Sequence, residues 1–177
     1  MKKGRTHTRK ALLTTAVVTL SAIVVAHEAG AADVNLNINA VIVPSPLAAN
    51  AIQDLDFGAF FPGGAPSTID IDTAGVPTYG VGIAPEAPPV SEGIIHLVGS
   101  TGSVVNLSLT NNTATITNGT TNMVVSQFQI NTDAGGTTEA VTLPGSTLDV
   151  PIGGTLNVGA GQAFGTYNGT ITVNASY

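Results

Sequence analysis

No lysine or arginine occurs after Lys10 in this chain of 177 residues. All five basic residues lie within the first ten positions, whereas ten of the eleven acidic residues follow Ala31. The remainder of the chain therefore has a formal charge near −10. Proteins bind phosphate backbones and anionic membrane surfaces through Lys and Arg, so this remainder is not suited to either partner. We therefore predict that the chain does not bind nucleic acid.

The basic residues precede an apolar stretch over residues 11–26. This stretch is short for a bilayer span, which needs about 20 apolar residues, and small residues at 29–31 then offer a cleavage site. A retained membrane anchor is the alternative. The pattern is typical of a secretory leader, so we predict a cleaved signal peptide over residues 1–32, a single domain over residues 33–177 and no membrane span in the mature chain. Export across the inner membrane of a bacterium would place the domain in the periplasm, on the cell surface or outside the cell.

Cysteine and tryptophan are also absent. Without disulfides, an exported domain depends on its core, on sheet hydrogen bonds or on assembly with its own copies. The chain lacks the indole on which many sugar-cleaving enzymes stack their substrate, and it lacks the Gly-x-Ser-x-Gly elbow of serine hydrolases. His96, the one histidine of the mature part, has no second His or Cys for a metal site, so we interpret it as a hydrogen-bonded strand residue. We predict that the chain is not an enzyme.

Alternation of apolar and polar residues is the main pattern of the mature part. Val, Ile and Thr are abundant, Gly, Pro and Asn separate the runs, and no segment has a 3.6-residue apolar period. Such runs predict half-buried strands, and about eight to ten of them indicate an all-β, antiparallel sandwich or barrel. The apolar phase changes at Ser126-Gln127, between Val125 and Phe128, which predicts a β-bulge or a register break.

The last thirteen residues form the longest alternating run. Tyr167, Ile171, Val173 and Tyr177 share one face of a predicted strand, and Asn and Thr occupy the other. Chain ends usually fray unless they are tied into a sheet. We therefore predict that this strand either docks on the core or is presented to an assembly partner.

Several motifs resemble known families. The ending with Gly165-Thr166-Tyr167, alternating Thr and Val and a terminal aromatic is similar to the last strand of chaperone–usher pilins and of spore coat protein U-like domains. Leu55-Asp56-Phe57-Gly58 and the run Gly153–Gly159 resemble the bacterial family known as domain of unknown function 4402. The resemblance extends over about residues 33–177. It implies an immunoglobulin-like β-sandwich and a secreted or surface structural subunit, fimbria- or pilin-like, that acts in assembly or adhesion.

The N-terminal run of the mature chain has two interpretations. Val34, Leu36 and Ile38 alternate with asparagines, and Pro44 follows at the point where a strand would leave a domain. The run could be an ordinary intramolecular strand, which alternation alone already explains. It could instead be a donor strand that is added to a neighbouring copy or related subunit. A periplasmic chaperone is a further candidate partner.

Two aspartate pairs are candidate calcium ligands. Asp54 with Asp56, and Asp70 with Asp72, each place two carboxylates on one face of a strand. Calcium takes six to eight oxygen ligands, but the spacing is not that of an EF-hand loop. A solvated polar face is the alternative interpretation, and we predict no other cofactor. The pairs keep open a second function, that of a monomeric exported binding module dependent on calcium or carbohydrate.

Overall fold

A computed structural model describes residues 36–86, 90–131 and 136–177. The predicted signal peptide and Val34 lie outside the described residues. The compact unit that contains the sheets spans Val41–Tyr177. No helix within the described ranges is long and apolar enough to cross a membrane.

The described residues form an all-β, antiparallel β-sandwich, which confirms the predicted fold class. Its strands are β1 Ala48–Gln53, β2 Phe60–Phe61, β3 Ser67–Ile71, β4 Pro77–Tyr79, β5 Ala84–Pro85, β6 Gly93–Val98, β7 Val104–Leu109, β8 Ala114–Thr117, β9 Asn122–Ile130, β10 Thr138–Thr142, β11 Thr147–Val158 and β12 Val173–Ser176. The number of strands exceeds the predicted eight to ten because β2, β4 and β5, which have only two or three residues each, are counted as strands.

The twelve residues of β11 organise the seven-stranded sheet. The first half of β11 pairs with β6 and the second half pairs with β3, while β9 pairs with its middle and end. Strands β1, β4 and β8 extend β6, β3 and β9 respectively. A second sheet has the order β10-β7-β12, and β2 pairs with β5 in a short ribbon. Strands β1 and β12 are therefore edge strands of different sheets.

Side chains from both larger sheets meet in one apolar core. Alternation along each strand directs every second side chain into this core, as expected for a sandwich. The most completely buried of them are Ile69, Ile71, Leu97, Val105, Leu107, Ile130, Leu143, Val150 and Leu156.

The predicted irregularity in β9 is confirmed. The register of β9 against β11 shifts between Gly153 and Thr155, and Gln127 has a positive φ of 48°. The extra residue reverses the phase of the strand, so that Val125 before it and Phe128 after it are both buried. The bulge therefore keeps both halves of β9 in contact with the core.

Because β11 runs along the whole sheet, it defines two ends of the sandwich. Residues 99–103 and 143–146 form loops beside its first residue, and we call this end the base. Residues 62–64, 80–83 and 159–165 form loops beyond its last residue, and we call this end the tip. Strand β12 runs from the tip side towards the base, antiparallel to β7.

Close approach of β3 to β11 requires glycine at position 153. A Cβ atom there would overlap the carbonyl oxygen of Ile71. We expect Gly153→Ala to lower the free energy of unfolding by about 1–3 kcal/mol, as overpacking does. The matched control is Gly145→Ala, because no atom lies within 4 Å of a Cβ built at Gly145. Urea denaturation measures both, and equal stability of the two variants would contradict this packing.

Candidate functional site

An open, mostly apolar cleft of about 870 Å³ lies beside β1 and the segment that leads into β12, and the carboxylates of Asp54, Asp56 and Glu86 are also part of its lining. Ala51 and Gln53 of β1 line one side, and Ile171 and Val173, at the entry to β12, line the other. Core side chains of β9 and β11 also contribute to its lining, and these are Met123, Val125, Phe128, Ile152 and Leu156. These five core side chains line the cleft but are themselves at most 5% exposed.

The cleft exists because the two sheets are not joined along this side. Strand β1 pairs only with β6, and β12 pairs only with β7, among the residues that the structure describes. The remaining edge of β12 has N–H and C=O groups that could form a further ladder. The side of the sandwich between β1 and β12 therefore has the shape and chemistry of a site for an added strand.

The predicted C-terminal strand is shorter than expected. Regular pairing is restricted to Val173–Ser176, and Asn168 makes only an isolated bridge to Thr117. Gly169 lies so close to β8 that a Cβ atom on it would overlap the Thr115 carbonyl oxygen. The segment before β12 therefore follows the end of β8 instead of continuing the ladder with β7, and alternation alone gave no signal of this change.

Tyr167 fixes that segment at the tip. Its hydroxyl donates a hydrogen bond to the Ala163 carbonyl oxygen at 2.8 Å and accepts one from Gln162 Nε2 at 2.8 Å. The Thr121 hydroxyl lies 2.6 Å from the same oxygen. The ring is half-buried against the core, as are Ile171 and Val173. These three side chains of the predicted face therefore pack against the core of their own chain, and presentation of the strand to a partner stays a prediction.

Tyr177 has a different role at the base. Its side chain is 42% exposed, but its hydroxyl donates to the Ser45 carbonyl oxygen and accepts from the Ser100 backbone N–H, each at 2.9 Å. Gly99 provides the space, because a Cβ atom there would overlap this hydroxyl. The last residue of the chain thus holds the point at which the N-terminal segment enters the domain.

Residues 36–43, which we call the arm, form no strand. Leu36, Ile38 and Ile42 are 84%, 89% and 97% exposed. For these residues, the interpretation as an ordinary intramolecular strand is therefore wrong. Pro44 and the proline two positions later supply no N–H donors and restrict the residues before them, so pairing with β6 begins only at Ala48.

Of the four candidate calcium ligands, only Asp70 lies on a strand, β3; Asp72 follows that strand, and Asp54 and Asp56 lie between β1 and β2. Three carboxylates already accept hydrogen bonds: Asp56 from Gly58 N, Asp70 from the Thr155 hydroxyl, and Asp72 from Ala74 N and Val76 N. For Asp54, the structure shows only a backbone contact, in which its carbonyl oxygen accepts from Ser91 Oγ. In the described ranges, no group of three or more His, Asp or Glu side chains lies close enough to hold a metal ion.

His96 is a hydrogen-bonded strand residue, as predicted. Its Nδ1 lies 2.5 Å from Oδ1 of Asp149, the residue opposite it on β11. Both side chains are partly exposed, at 33% and 57%. The sequence did not identify Asp149 as the partner, because strand register cannot be read from alternation.

The chain matches the model of the family described as domain of unknown function (DUF4402) over residues 47–177. No curated protein and no solved structure matches the chain. The matched range includes both edge strands, the cleft and Tyr177, and it ends where the chain ends. The predicted resemblance to this family is thereby confirmed.

We expect Tyr177→Phe to release the chain entry from the base. The substitution removes both hydrogen bonds of the hydroxyl but keeps the ring, so the free energy of unfolding should fall by about 1–2 kcal/mol. Amide exchange near Ser45 and Ser100 should also become faster. Tyr79→Phe is the control, because its hydroxyl makes no hydrogen bond within the described residues. Unchanged exchange at Ser100 in Tyr177→Phe would show that the hydroxyl does not hold this junction.

Proposed function

The chain belongs to the family of domain of unknown function (DUF4402), and we propose that it is an exported, non-enzymatic structural subunit with a fimbria- or pilin-like role at the cell surface. It assembles by β-strand exchange, in which the arm of one copy fills the cleft of another. One observation carries the proposal: the same chain has an exposed apolar arm outside every sheet and an open apolar cleft beside an edge strand.

The cleft has the two features that strand addition requires. An added strand forms main-chain hydrogen bonds with an exposed sheet edge, and its alternate side chains enter pockets. The unpaired edge of β12 supplies the first feature. The apolar lining, with Phe128 and Leu156 among its residues, supplies the second. An inserted strand would also cover half-buried apolar side chains of the lining, such as Ile171 and Val173.

The arm has the complementary pattern. Leu36, Ile38 and Ile42 would point to one side of an extended strand, and Asn37 and Asn39 would point to the other. Full burial of one such apolar side chain contributes about 1.5–3 kcal/mol, so three contribute roughly 4.5–9 kcal/mol before the entropy cost of association. The apolar contacts are therefore large enough to drive specific association when main-chain pairing is added.

Charge also favours this mode of assembly over contacts between charged surfaces. The mature chain has carboxylates but no Lys or Arg, so two copies cannot form Lys- or Arg-based ion pairs. The arm has no charged residue. Repulsion between carboxylates is screened beyond about 8 Å at physiological salt, whereas main-chain and apolar contacts do not depend on charge. Strand exchange is thus compatible with a strongly acidic subunit.

We expect Ile38→Asp to abolish assembly of the exported protein, because a carboxylate would have to enter the apolar cleft. Asn37→Asp is the matched control, since it adds the same charge to the opposite face of the arm. Both positions are exposed, so the fold of the monomer should not change. The measurements are light scattering after size exclusion and SDS gels of unheated samples, with loss of high-mass species expected in Ile38→Asp only.

Two results would contradict strand exchange. In the first, the unmodified exported protein remains monomeric at all concentrations, as expected for an independent binding module. In the second, Ile38→Asp and Asn37→Asp assemble equally well, which would show that the apolar face of the arm is not used.

A further inference from the structure

We propose that the side chains of Thr155 and Gln127 join in an intramolecular ester bond, which links β11 covalently to β9. Three adjacent strands bring the reacting groups together, because Thr155 on β11 lies directly opposite Asp70 of β3 on one side. On the other side it lies opposite Ser126 of β9, the neighbour of Gln127. The chain has no cysteine for a disulfide and, after Lys10, no lysine for an amide cross-link, whereas an ester needs only a hydroxyl and a side-chain amide.

The hydroxyl of Thr155 is buried and already contacts a proton acceptor. Thr155 is 7% exposed and is the only buried polar residue among those that the structure describes. The next residue, Leu156, belongs to the core, so Thr155 points to the opposite face of the sheet. There its Oγ1 donates a hydrogen bond to Oδ1 of Asp70 at 2.6 Å. A candidate general base must lie within this distance of the proton that it removes, and Asp70 does.

The amide of Gln127 lies on the other side of the same hydroxyl. Its Oε1 is 3.4 Å from Oγ1 of Thr155. Because a C=O bond is about 1.23 Å long, Cδ lies within about 4.6 Å of the hydroxyl oxygen. Gln127 is the bulge residue with a φ of 48°, a conformation that is uncommon for residues other than glycine and that recurs at functional sites. The bulge therefore directs the amide towards Thr155.

These three groups are sufficient for ester formation. Asp70 removes the hydroxyl proton while Oγ1 of Thr155 forms a bond with Cδ of Gln127. The bond between Cδ and Nε2 then breaks, the proton passes from Asp70 to the nitrogen, and ammonia leaves. The products are one ester and one ammonia molecule, and Asp70 is again a carboxylate. Gln127 is exposed, so ammonia can escape into the solvent, while burial of Thr155 limits access of water to the ester.

The position of the bond suits a structural subunit. Strands β9 and β11, with nine and twelve residues, are the longest strands in the described part of the chain. A covalent bond between them closes a loop over residues 127–155 and restricts the unfolded chain as a disulfide does. The ester thus supplies a covalent restraint in an exported domain that has no cysteine.

Mass spectrometry of the full exported chain, purified after removal of the leader, tests the proposal. We expect an intact mass about 17 Da below that of the unmodified sequence, because one ammonia is lost. Thr155→Val lacks the nucleophile and Gln127→Glu lacks the leaving nitrogen, so both should have their full masses. Thr155→Ser keeps the hydroxyl and should keep the mass loss. Asp70→Asn should form the bond at least about a hundredfold more slowly.

Digestion in denaturant with a protease that cleaves at aspartate shows where the bond lies. Cleavage at Asp149 separates Gln127 from Thr155 in sequence, so the two fragments stay joined only if the ester is present. A succinimide at Asn118 would give the same mass loss, but it would not join these fragments. A full mass for the natural chain, separation of its fragments, or a mass loss that persists in Gln127→Glu would each overturn the proposal. Gln127 is exposed, so this last variant should fold even if Thr155→Val does not.

Discussion

The unclosed side of the sandwich, between edge strands β1 and β12, is the constraint on which the other proposed properties depend. Apolar surface exposed to water costs about 25 cal/mol per Å², and an unpaired strand edge invites non-specific pairing. The chain has both features on one side, together with an arm whose apolar residues are exposed. Addition of the arm as a strand would cover the apolar surface of the cleft, pair the free strand edge and bury the apolar residues of the arm. This is the physical basis of the proposal that the arm of one copy fills the cleft of another.

Alternation in the sequence predicted the fold class because it reports directly that a strand has one buried face. The bulge at Gln127 was also predictable, since a one-residue insertion reverses the phase of the apolar positions. Pairing partners were not predictable. Leu36, Ile38 and Ile42 of the arm fall on one face, as the alternate residues of β7 do, yet β7 pairs with two strands and the described arm residues pair with none. Alternation indicates that one face of a segment is buried. It does not indicate which strand edge the segment will pair with.

The C-terminal run shows the same limit in another form. Period-two alternation continues through residues 165–172, but the regular ladder begins only at Val173. Contacts distant in sequence contribute to this difference, namely the contact between the hydroxyls of Tyr167 and Thr121 and the close approach of Gly169 to β8. The hydrogen bonds of the Tyr177 hydroxyl to Ser45 and Ser100 could not be predicted either, because these residues are also distant in sequence. The strand partner of His96 likewise became evident only from the register of β11.

Hydrogen–deuterium exchange of the assembled protein tests the central claim most directly, because strand exchange converts free main-chain amides into ladder bonds. Amides of residues 36–43 and of β12 should exchange rapidly in the Ile38→Asp monomer and become strongly protected, by at least about a hundredfold, in the assembly. Protection of both segments together, with little change in β3 and β4 on the far side of the sheet, is the predicted result. An assembly in which residues 36–43 exchange as fast as in the monomer would contradict strand donation.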